Sequence, residues 1–255
     1  LKKASYIELD EGTMPMQLFK AFDSSNNIYF VFKPVDWADR EAGDATTNPF
    51  PTFANYDPAT DAAGVFTIND IFFHRNRLGF ISDENVILSE SGGYFNFFHT
   101  NNQVAILKSA IPFQESLILF SDLQQFKLSS DSFLTPTSVT VDVATNFETS
   151  TRAKPVPAGK TIFFPFQRGA FSGIREYFIN IASETNDANE ISAHVPEYVE
   201  GTVRKMAVSS NEEVLLILSD TDRREVKVYK YYYNEKEKMQ SAWSTWKFDA
   251  EIIDM

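Results

Sequence analysis

The sequence predicts an all-β fold built from antiparallel, β-propeller-like meanders, with one long irregular loop and little helix. Between residues 66 and 98, apolar runs alternate with polar breaks, in the order TINDIFF, RLGFIS, NVILS and GYFNFF. Short strands at even spacing are typical of a four-stranded meander, which forms one blade of a propeller or one half of a sandwich. Aromatic residues make up 15% of the 255-residue chain, and these side chains favour pleated, half-buried surfaces.

The first 63 residues are predicted to hold strands followed by a loop. The strands cover residues 5–10, 16–22 and 28–35, and a DSSNN turn joins the last two. From residue 36 to residue 63 apolar periodicity stops and Asp, Pro, Thr and Asn dominate, so we predict a long loop of the kind that is often functional. We divide the chain into a β-rich segment with a long acidic loop, residues 1–63, and propeller-like blades, residues 64–255.

A short motif recurs along the chain. LGFISD ends at Asp83, LILFSD at Asp122 and LLILSD at Asp220, and a second apolar run follows each of them. The interval from Asp83 to Asp122 is 39 residues, close to the ~40–45 of one propeller blade. The longer interval to Asp220 has room for two blades, to which the runs TIFFPF (161–166) and IREYFINIA (174–182) contribute strands. Ser-Asp is also a common hairpin turn, so a true repeat and a chance recurrence both stay open.

The C-terminal region holds the best candidate for a helix. NEKEKMQSA, residues 234–242, is rich in helix-forming residues and predicts about two helical turns. The following AWSTWKF alternates apolar and polar residues, which predicts a strand.

The charge of the chain argues against tight binding of nucleic acid. The net charge is −12, and residues 1–150 carry 19 acidic against 9 basic side chains. Phosphate binding needs clustered Lys and Arg. A negative surface would instead repel DNA and let it slide past, although acidic charge also serves simply to keep an aromatic-rich protein in solution.

Composition excludes further classes of protein. The chain has no cysteine, which rules out disulfides, thiol catalysis and cysteine-based zinc sites within it. No apolar run approaches the length of a membrane span, and LKKASYIELD lacks the apolar core of a signal peptide. Because the sequence does not begin with Met, we expect it to be a piece of a longer protein or a processed product.

The acidic loop is the first candidate for a ligand site. Carboxylates clustered in one loop are typical of calcium sites, which take six to eight oxygen ligands. The D-x-D-x-D-G order of a calcium loop is missing, so we favour a solvated loop or one paired with Arg40. The carboxylates in question are Asp36, Asp39, Glu41 and Asp44.

No motif predicts a catalytic, metal-binding or cofactor-binding residue. His74, His99 and His194 lack metal-ligand spacing, and G-x-S-x-G does not occur. A pair of carboxylates beside aromatic side chains would suit glycoside hydrolysis, but the sequence singles out no such pair.

Two short motifs imitate phosphate sites. In Gly159-Lys160-Thr161, the earlier glycine that a P-loop requires is replaced by Lys154, and two nearby prolines lack the amides of a phosphate cradle. We predict a loop leading into the TIFFPF strand. In the basic turn HRNR, residues 74–77, we expect the arginines to pair with acidic neighbours such as Asp70 or Asp83.

The chain resembles the tail tubular protein B, or nozzle, family of short-tailed bacteriophages. The resemblance rests on five collinear stretches that span most of the chain. They are FKPVDWADREAGDATTNPFPTF (32–53), INDIFFHRNRLGFISDENVILSESGGYFNFF (68–98), AILKSAIPFQESLILFSDLQQFKLS (105–129), EISAHVPEYV (190–199) and VYKYYYNEKEKMQSAWSTWKF (228–248).

The resemblance implies a structural component of the virion tail. Nozzle proteins are several times longer than this chain, contain β-propeller regions, and assemble as hexameric rings below the adaptor ring formed by tail tubular protein A. They line the channel for double-stranded DNA without reading its sequence, retain the DNA until ejection, and support docking of tail fibres. The resemblance therefore implies a non-enzymatic protein without a cofactor. The family usually has a longer acidic insert where this chain has only HTNNQV, residues 99–104.

A ring subunit needs side chains that contact its neighbours, and the resemblance makes aromatic residues the candidates. Trp and Tyr are favoured anchors at protein interfaces, and cyclic rings use heterologous contacts that close by rotation. Ordinary core packing remains the alternative for each residue, although a tyrosine run on a strand alternates faces and leaves at least one ring outside the core. The candidates are Trp37, Tyr231, Tyr233, Trp243 and Trp246.

Other functions remain open on the sequence alone. A carbohydrate-binding or carbohydrate-hydrolysing propeller at the virion tip is the main alternative, and a β-rich adhesion module is a third.

Overall fold

The computed structural model describes most of the chain as antiparallel β-sheet. It covers residues 6–7, 15–36, 40–41, 54–57, 62–65, 68–101, 105–130, 134–135, 138–180, 183, 185–234 and 237–255. Contacts divide the chain into two compact units, Leu1–Val104 with Ser130–Val139, and Ala105–Ser129 with Thr140–Met255. This division follows contacts, whereas the boundary between residues 63 and 64 follows sequence pattern and stays a prediction. Within the described part of the chain, no helix is long and apolar enough to cross a membrane.

Among its described residues, the first unit contains three two-stranded pairings and one four-stranded meander. β1 pairs with β4, β2 with β3, and β5 with β6, while β7 to β10 form the first meander, with sheet order β10-β9-β8-β7. The strands are β1 (Tyr6–Ile7), β2 (Gln17–Phe22), β3 (Ile28–Lys33), β4 (Arg40–Glu41), β5 (Ala54–Asp57), β6 (Ala62–Val65), β7 (Ile68–His74), β8 (Arg77–Ser82), β9 (Asn85–Glu90) and β10 (Gly93–Asn101).

In this unit the structure confirms the predicted strands of the meander and corrects the predicted loop. All four runs between residues 66 and 98 are strands. The region 36–63, predicted as a single loop, contains β4, β5 and the start of β6, so that prediction is wrong at these residues. Pairings of two to four residues are too short to show a period of two in the sequence. The rest of that region, and residues 102–104 after β10, lie outside the described residues.

The second unit contains three further meanders. They are the second meander, β11 to β14, the third, β15 to β18 with β19 added against β17, and the fourth, β20 to β23. The strands are β11 (Ser109–Phe113), β12 (Ser116–Phe120), β13 (Gln125–Ser129), β14 (Thr140–Thr145), β15 (Val156–Ala158), β16 (Thr161–Arg168), β17 (Phe171–Asn180), β18 (Thr185–Glu190), β19 (Val199–Glu200), β20 (Val203–Ser209), β21 (Val214–Ser219), β22 (Glu225–Asn234) and β23 (Glu237–Lys247). The predicted all-β class is confirmed.

The helix predicted at residues 234–242 is wrong. Residues 237–247 form β23, which pairs antiparallel with β22 from Asn234↔Glu237 to Glu225↔Lys247. A segment with helical propensity becomes a strand here because pairing along all of β22 outweighs a preference of a few tenths of a kcal/mol per residue. The strand predicted for AWSTWKF is confirmed up to Lys247.

The Ser-Asp motif occupies the same position in three meanders. Its serine closes or directly follows the second strand, β8, β12 or β21, and its aspartate begins the turn to the third strand. Asp122 accepts a hydrogen bond from the Thr151 hydroxyl at 2.8 Å, and Asp220 accepts one from the amide of Thr202 at 2.9 Å. The aspartate therefore fastens the turn to a neighbouring connection in both of these meanders. The TIFFPF and IREYFINIA runs supply the second and third strands of the third meander, as predicted.

The third meander is buried on both faces, which explains its unbroken apolar run. Ile162, Phe164 and Tyr177 pack with residues of the second meander. Phe163 and Ile174, which point to the opposite face, pack with residues of the fourth. Successive side chains of a strand alternate faces, so a strand covered on both sides is apolar at every position. Face-to-face packing of successive meanders is the arrangement of blades in a propeller.

Candidate interface surfaces

The predicted interface residues described by the structure lie on β22 and β23 of the fourth meander. Tyr231 is buried, with 5% of its surface exposed, and Tyr233 and Trp243 are partly buried against the core between the third and fourth meanders. Trp246 is 49% exposed. Trp37 lies outside the described residues. An interface role for all five residues stays a prediction, and Trp246 presents the most surface to a partner.

The tyrosine run alternates faces, as predicted. The rings of Tyr229 and Tyr231 are stacked with centroids 5.7 Å apart, and both face the core. Tyr232, between Tyr231 and Tyr233, is 49% exposed on the other face. Trp243 packs against the ring of Tyr229 at 4.9 Å, and its indole nitrogen donates to the carbonyl of Ile191 at 3.4 Å.

A buried carboxylate joins this aromatic cluster to the third meander. Glu176, on β17, is 3% exposed, and it is the one buried carboxylate among the described residues. The Tyr233 hydroxyl donates to Glu176 Oε1 at 2.6 Å, and the Lys238 ammonium forms an ion pair with Oε2. The same ammonium lies over the rings of Tyr229 and Tyr233, 5.7 and 5.2 Å from their centroids. Both carboxylate oxygens therefore have donors.

Electrostatics in this cluster favour a charged Lys238 and neutral tyrosines. Burial alone would lower the pKa of Lys238, but the charge of Glu176 and its hydrogen bond outweigh burial and raise it. Burial, with the hydrogen bond and charge of Glu176, raises the pKa of Tyr233. Burial, with the charges of Glu176 and Glu213, raises the pKa of Tyr231 to about 12. A carboxylate that is held by a lysine and a tyrosine fixes two sheets together and is poorly placed to exchange protons with a substrate.

The other candidate residues serve local structure. Arg77, in the basic turn, donates to the carbonyl of Ser89 at 2.7 Å, and burial lowers its pKa while the charge of Glu90 raises it. Gly159, with φ of 63°, forms the predicted turn between β15 and β16. Across the described residues, no group of three or more histidines and carboxylates is arranged to hold a metal ion. Most of the acidic loop, including Asp39 and Asp44, lies outside those residues.

A second aromatic surface, absent from the predicted interface residues, lies on the hairpin formed by β2 and β3. Side chains at even-numbered positions share one face, which we call the even face of the hairpin. Its apolar members are all at least half exposed: Leu18 51%, Phe22 54%, Ile28 55%, Phe30 63% and Phe32 68%. The opposite face is better covered, because Ala21 and Val31 are only partly exposed and Phe19 is 40% exposed.

The hairpin is held in shape by its turn. The Asp23 carboxylate accepts hydrogen bonds from the amides of Ser25 and Asn27, both at 2.8 Å, and from the Asn27 side chain at 3.0 Å. These hydrogen bonds, that of the Asn27 side chain first, lower the pKa of Asp23. Asn26 has φ of 63°, a conformation that asparagine tolerates well. The sequence shows apolar residues on both faces of these strands, which was the signal for a surface that needs a partner.

Comparison with known proteins assigns the family. The family model described as Bacteriophage nozzle protein matches residues 1–255. The chain belongs to the bacteriophage nozzle protein family. Tail tubular protein gp12 of Escherichia phage T7 is 35% identical over 257 residues, an alignment that covers 94% of this chain and 31% of that protein. The chain thus spans about a third of the length of this curated nozzle relative.

Solved structures of low sequence identity are similar to this nozzle-family chain. The β-propeller domain of Cps50 (Swd1) from Myceliophteria thermophila has a TM-score of 0.49 and 11% identity, covering 76% of this chain and 65% of that one. Hsv2 from Kluyveromyces lactis has a TM-score of 0.45 and 12% identity, covering 88% and 57%.

Proposed function

We propose that this nozzle-family chain is a structural, non-enzymatic component of the phage tail and forms part of a ring-shaped conduit for DNA. The family match over all 255 residues is the observation that carries this proposal. The T7 relative is a tail tubular protein by name, which supports a place in the virion tail. The face-to-face packing of the three meanders in the second unit suits a purely structural role.

The partners follow from the same proposal. The full-length parent protein assembles as a homo-hexamer, binds the adaptor ring of tail tubular protein A, and supports tail fibres. Double-stranded DNA passes through without sequence-specific binding. The net charge of −12 supports passage of DNA, because a negative surface repels phosphate and offers few cations for it to bind.

Among the described residues, no observation favours the hydrolytic form of the carbohydrate alternative. A retaining or inverting glycosidase needs two carboxyl groups ~5–9.5 Å apart with access to the sugar. Glu176, the buried carboxylate of the described residues that lies beside aromatic rings, has both oxygens bound by Tyr233 and Lys238. The exposed aromatic side chains of the β2–β3 hairpin and of Trp246 also suit sugar binding, but contacts between proteins explain their exposure better.

Virions assembled without the full-length parent protein test the proposal. A conduit that closes the tail should leave particles that lose packaged DNA and do not infect, and supplying the wild-type protein during assembly should restore both properties. Particles that lack the protein but keep their DNA and infect normally would contradict a conduit role.

A further inference from the structure

The even face of the β2–β3 hairpin lacks the polar side that a solvated sheet normally has. Antiparallel sheets that meet water on one side carry polar residues there. The even face instead carries five large apolar side chains and one charged residue, Lys20. An isolated two-stranded hairpin is also only marginally stable in water, so this element gains stability when another surface covers it.

The exposed area of the even face is that of an interaction patch and supplies part of a protein interface. Half-exposed side chains of this size offer roughly 100 Å² each, so five of them present on the order of 500 Å². Patches of that size on soluble proteins mark interaction sites, and each partner in a stable complex buries about 800 Å². Phe19 and Tyr29, 40% and 47% exposed on the opposite face, extend the area available to a partner that wraps the hairpin.

Charge indicates what kind of surface covers it. Lys20 lies over the ring of Phe22 at 5.4 Å, and Lys33 lies over Phe19 at 5.6 Å, so each face carries one ammonium group. Asp23 is the one acidic residue from Met16 to Lys33, and its oxygens are occupied within the turn. The hairpin is thus an apolar, weakly cationic element on a chain with 35 acidic and 23 basic residues.

We infer that the even face of the β2–β3 hairpin docks on an acidic surface of a second copy of this chain. Two even faces would meet with their Lys20 ammonium groups opposed, which like charge disfavours. The hairpin of one copy therefore binds a different surface of the next, a heterologous contact that generates a ring when its rotation closes. The inference rests on the proposed function, because it names the contact through which the ring assembles.

Site-specific photocross-linking in the full-length parent protein tests this contact. Phe30→p-benzoylphenylalanine places a photoreactive ring on the even face, and Phe32→p-benzoylphenylalanine gives a second position if the first variant folds poorly. The same probe at Leu123, 64% exposed on the turn between β12 and β13, is the matched control. Light and heavy nitrogen-labelled protein are mixed before irradiation, so that contacts between copies give mixed-isotope peptides.

The outcomes separate this inference from the proposal of a ring. Mixed-isotope cross-links from position 30 or 32 to acidic segments, absent from position 123, are expected. Cross-links within one copy, or to another tail protein only, would assign the even face to a different occupant and overturn the inference. Rings seen by electron microscopy without any cross-link between copies from the hairpin would overturn it while leaving the ring intact. Absence of both rings and such cross-links would contradict both.

Substitutions that introduce negative charge provide an independent readout of association between copies. Phe30→Asp should weaken association of copies by about tenfold or more, whereas Leu123→Asp should leave it unchanged. Lys20→Glu should weaken association at low salt, and the difference from wild type should shrink as salt screens exposed charges over ~10 Å at 0.1 M. If Lys20→Glu associates as strongly as wild type at low salt, the surface that the hairpin contacts is not acidic.

Discussion

At the scale of single residues, the contact among Glu176, Lys238 and Tyr233 explains most about how the third and fourth meanders are held together. It joins side chains 57 and 62 positions apart in the chain and links the third meander to the fourth. The carboxylate is almost wholly buried, so its charge is tolerated only while both oxygens have donors. The cluster therefore stabilises one arrangement of these two meanders.

Removing the Lys238 ammonium group should show how much free energy the burial of the Glu176 carboxylate costs. Lys238→Met is expected to lower the free energy of unfolding by about 2–3 kcal/mol, somewhat less than for a fully buried pair because the Lys238 side chain is 25% exposed. Lys247→Met on the same strand is the matched control. Lys247 pairs with Glu225 while 77% exposed, and solvent screens such a pair, so its loss should leave stability almost unchanged. Urea unfolding measures the free energy of unfolding of both variants, and equal decreases would contradict a special role for Lys238.

The buried tyrosines predict loss of stability at alkaline pH. Burial raises the pKa of Tyr177, Tyr231 and Tyr233, that of Tyr231 to about 12 from an ordinary 10. A group whose pKa is raised on folding stabilises the fold fully below the unfolded pKa, and that contribution falls as pH rises toward the folded pKa. Unfolding free energy should therefore decrease from about pH 10 upward. Unfolding in urea at pH 8, 10 and 11 tests this.

Tyr231→Phe refines the same test. The Tyr231 hydroxyl is buried without a hydrogen-bond partner among the described residues. Its removal should leave stability at pH 8 unchanged or slightly higher, and should make the decline above pH 10 less steep. A variant that is less stable at pH 8 would show that the hydroxyl has a partner in solution.

At the scale of elements, strands are predictable where burial imposes a pattern on the sequence. In the first meander, the polar segments HRN, DE and ESG separate the apolar strands. The apolar run TIFFPF is not interrupted by a polar residue because both faces of β16 are buried. The sequence predicts a helix over part of β23, whereas the structure has a strand there, because pairing with β22 decides its conformation. The sequence carries a signal for the exposed even face, because apolar residues occupy both faces of β2 and β3. The Glu176 contact carries no such signal, since neither local pattern nor spacing shows which faces meet.

Glycines placed under aromatic rings are an element-level feature of these sheets. Phe166 lies directly across from Gly173, and a Cβ on Gly173 would lie 2.3 Å from the ring. Gly173→Ala should destabilise the second unit by about 1–3 kcal/mol, because Phe166 must move from a packed position. Gly93→Ala, where the nearest atom is 3.5 Å away, should be close to neutral. In a double-mutant cycle, Phe166→Leu should recover part of the loss, and strictly additive effects would contradict a clash with this ring.

At the scale of the whole molecule, we expect exposed aromatic side chains to serve assembly and buried ones to serve stability. Trp243 and Trp246 lie three positions apart on β23 and provide a matched pair. Trp243→Ala should lower unfolding free energy by about 3 kcal/mol, because the ring packs on Tyr229 and Tyr198.

Trp246→Ala should change stability by less than about 1 kcal/mol and reduce assembly of the full-length parent protein, because half of the ring is exposed. Light scattering measures assembly, and urea unfolding measures stability. A Trp246→Ala protein that assembles as well as wild type would remove Trp246 from the interface.

Electron microscopy of the full-length parent protein, alone and mixed with its adaptor ring, tests the central claim most directly. We predict six-fold rings with a central hole that join the adaptor coaxially. Discrete monomers that never join the adaptor would contradict the conduit, and the exposed aromatic surfaces of the chain would then need another partner.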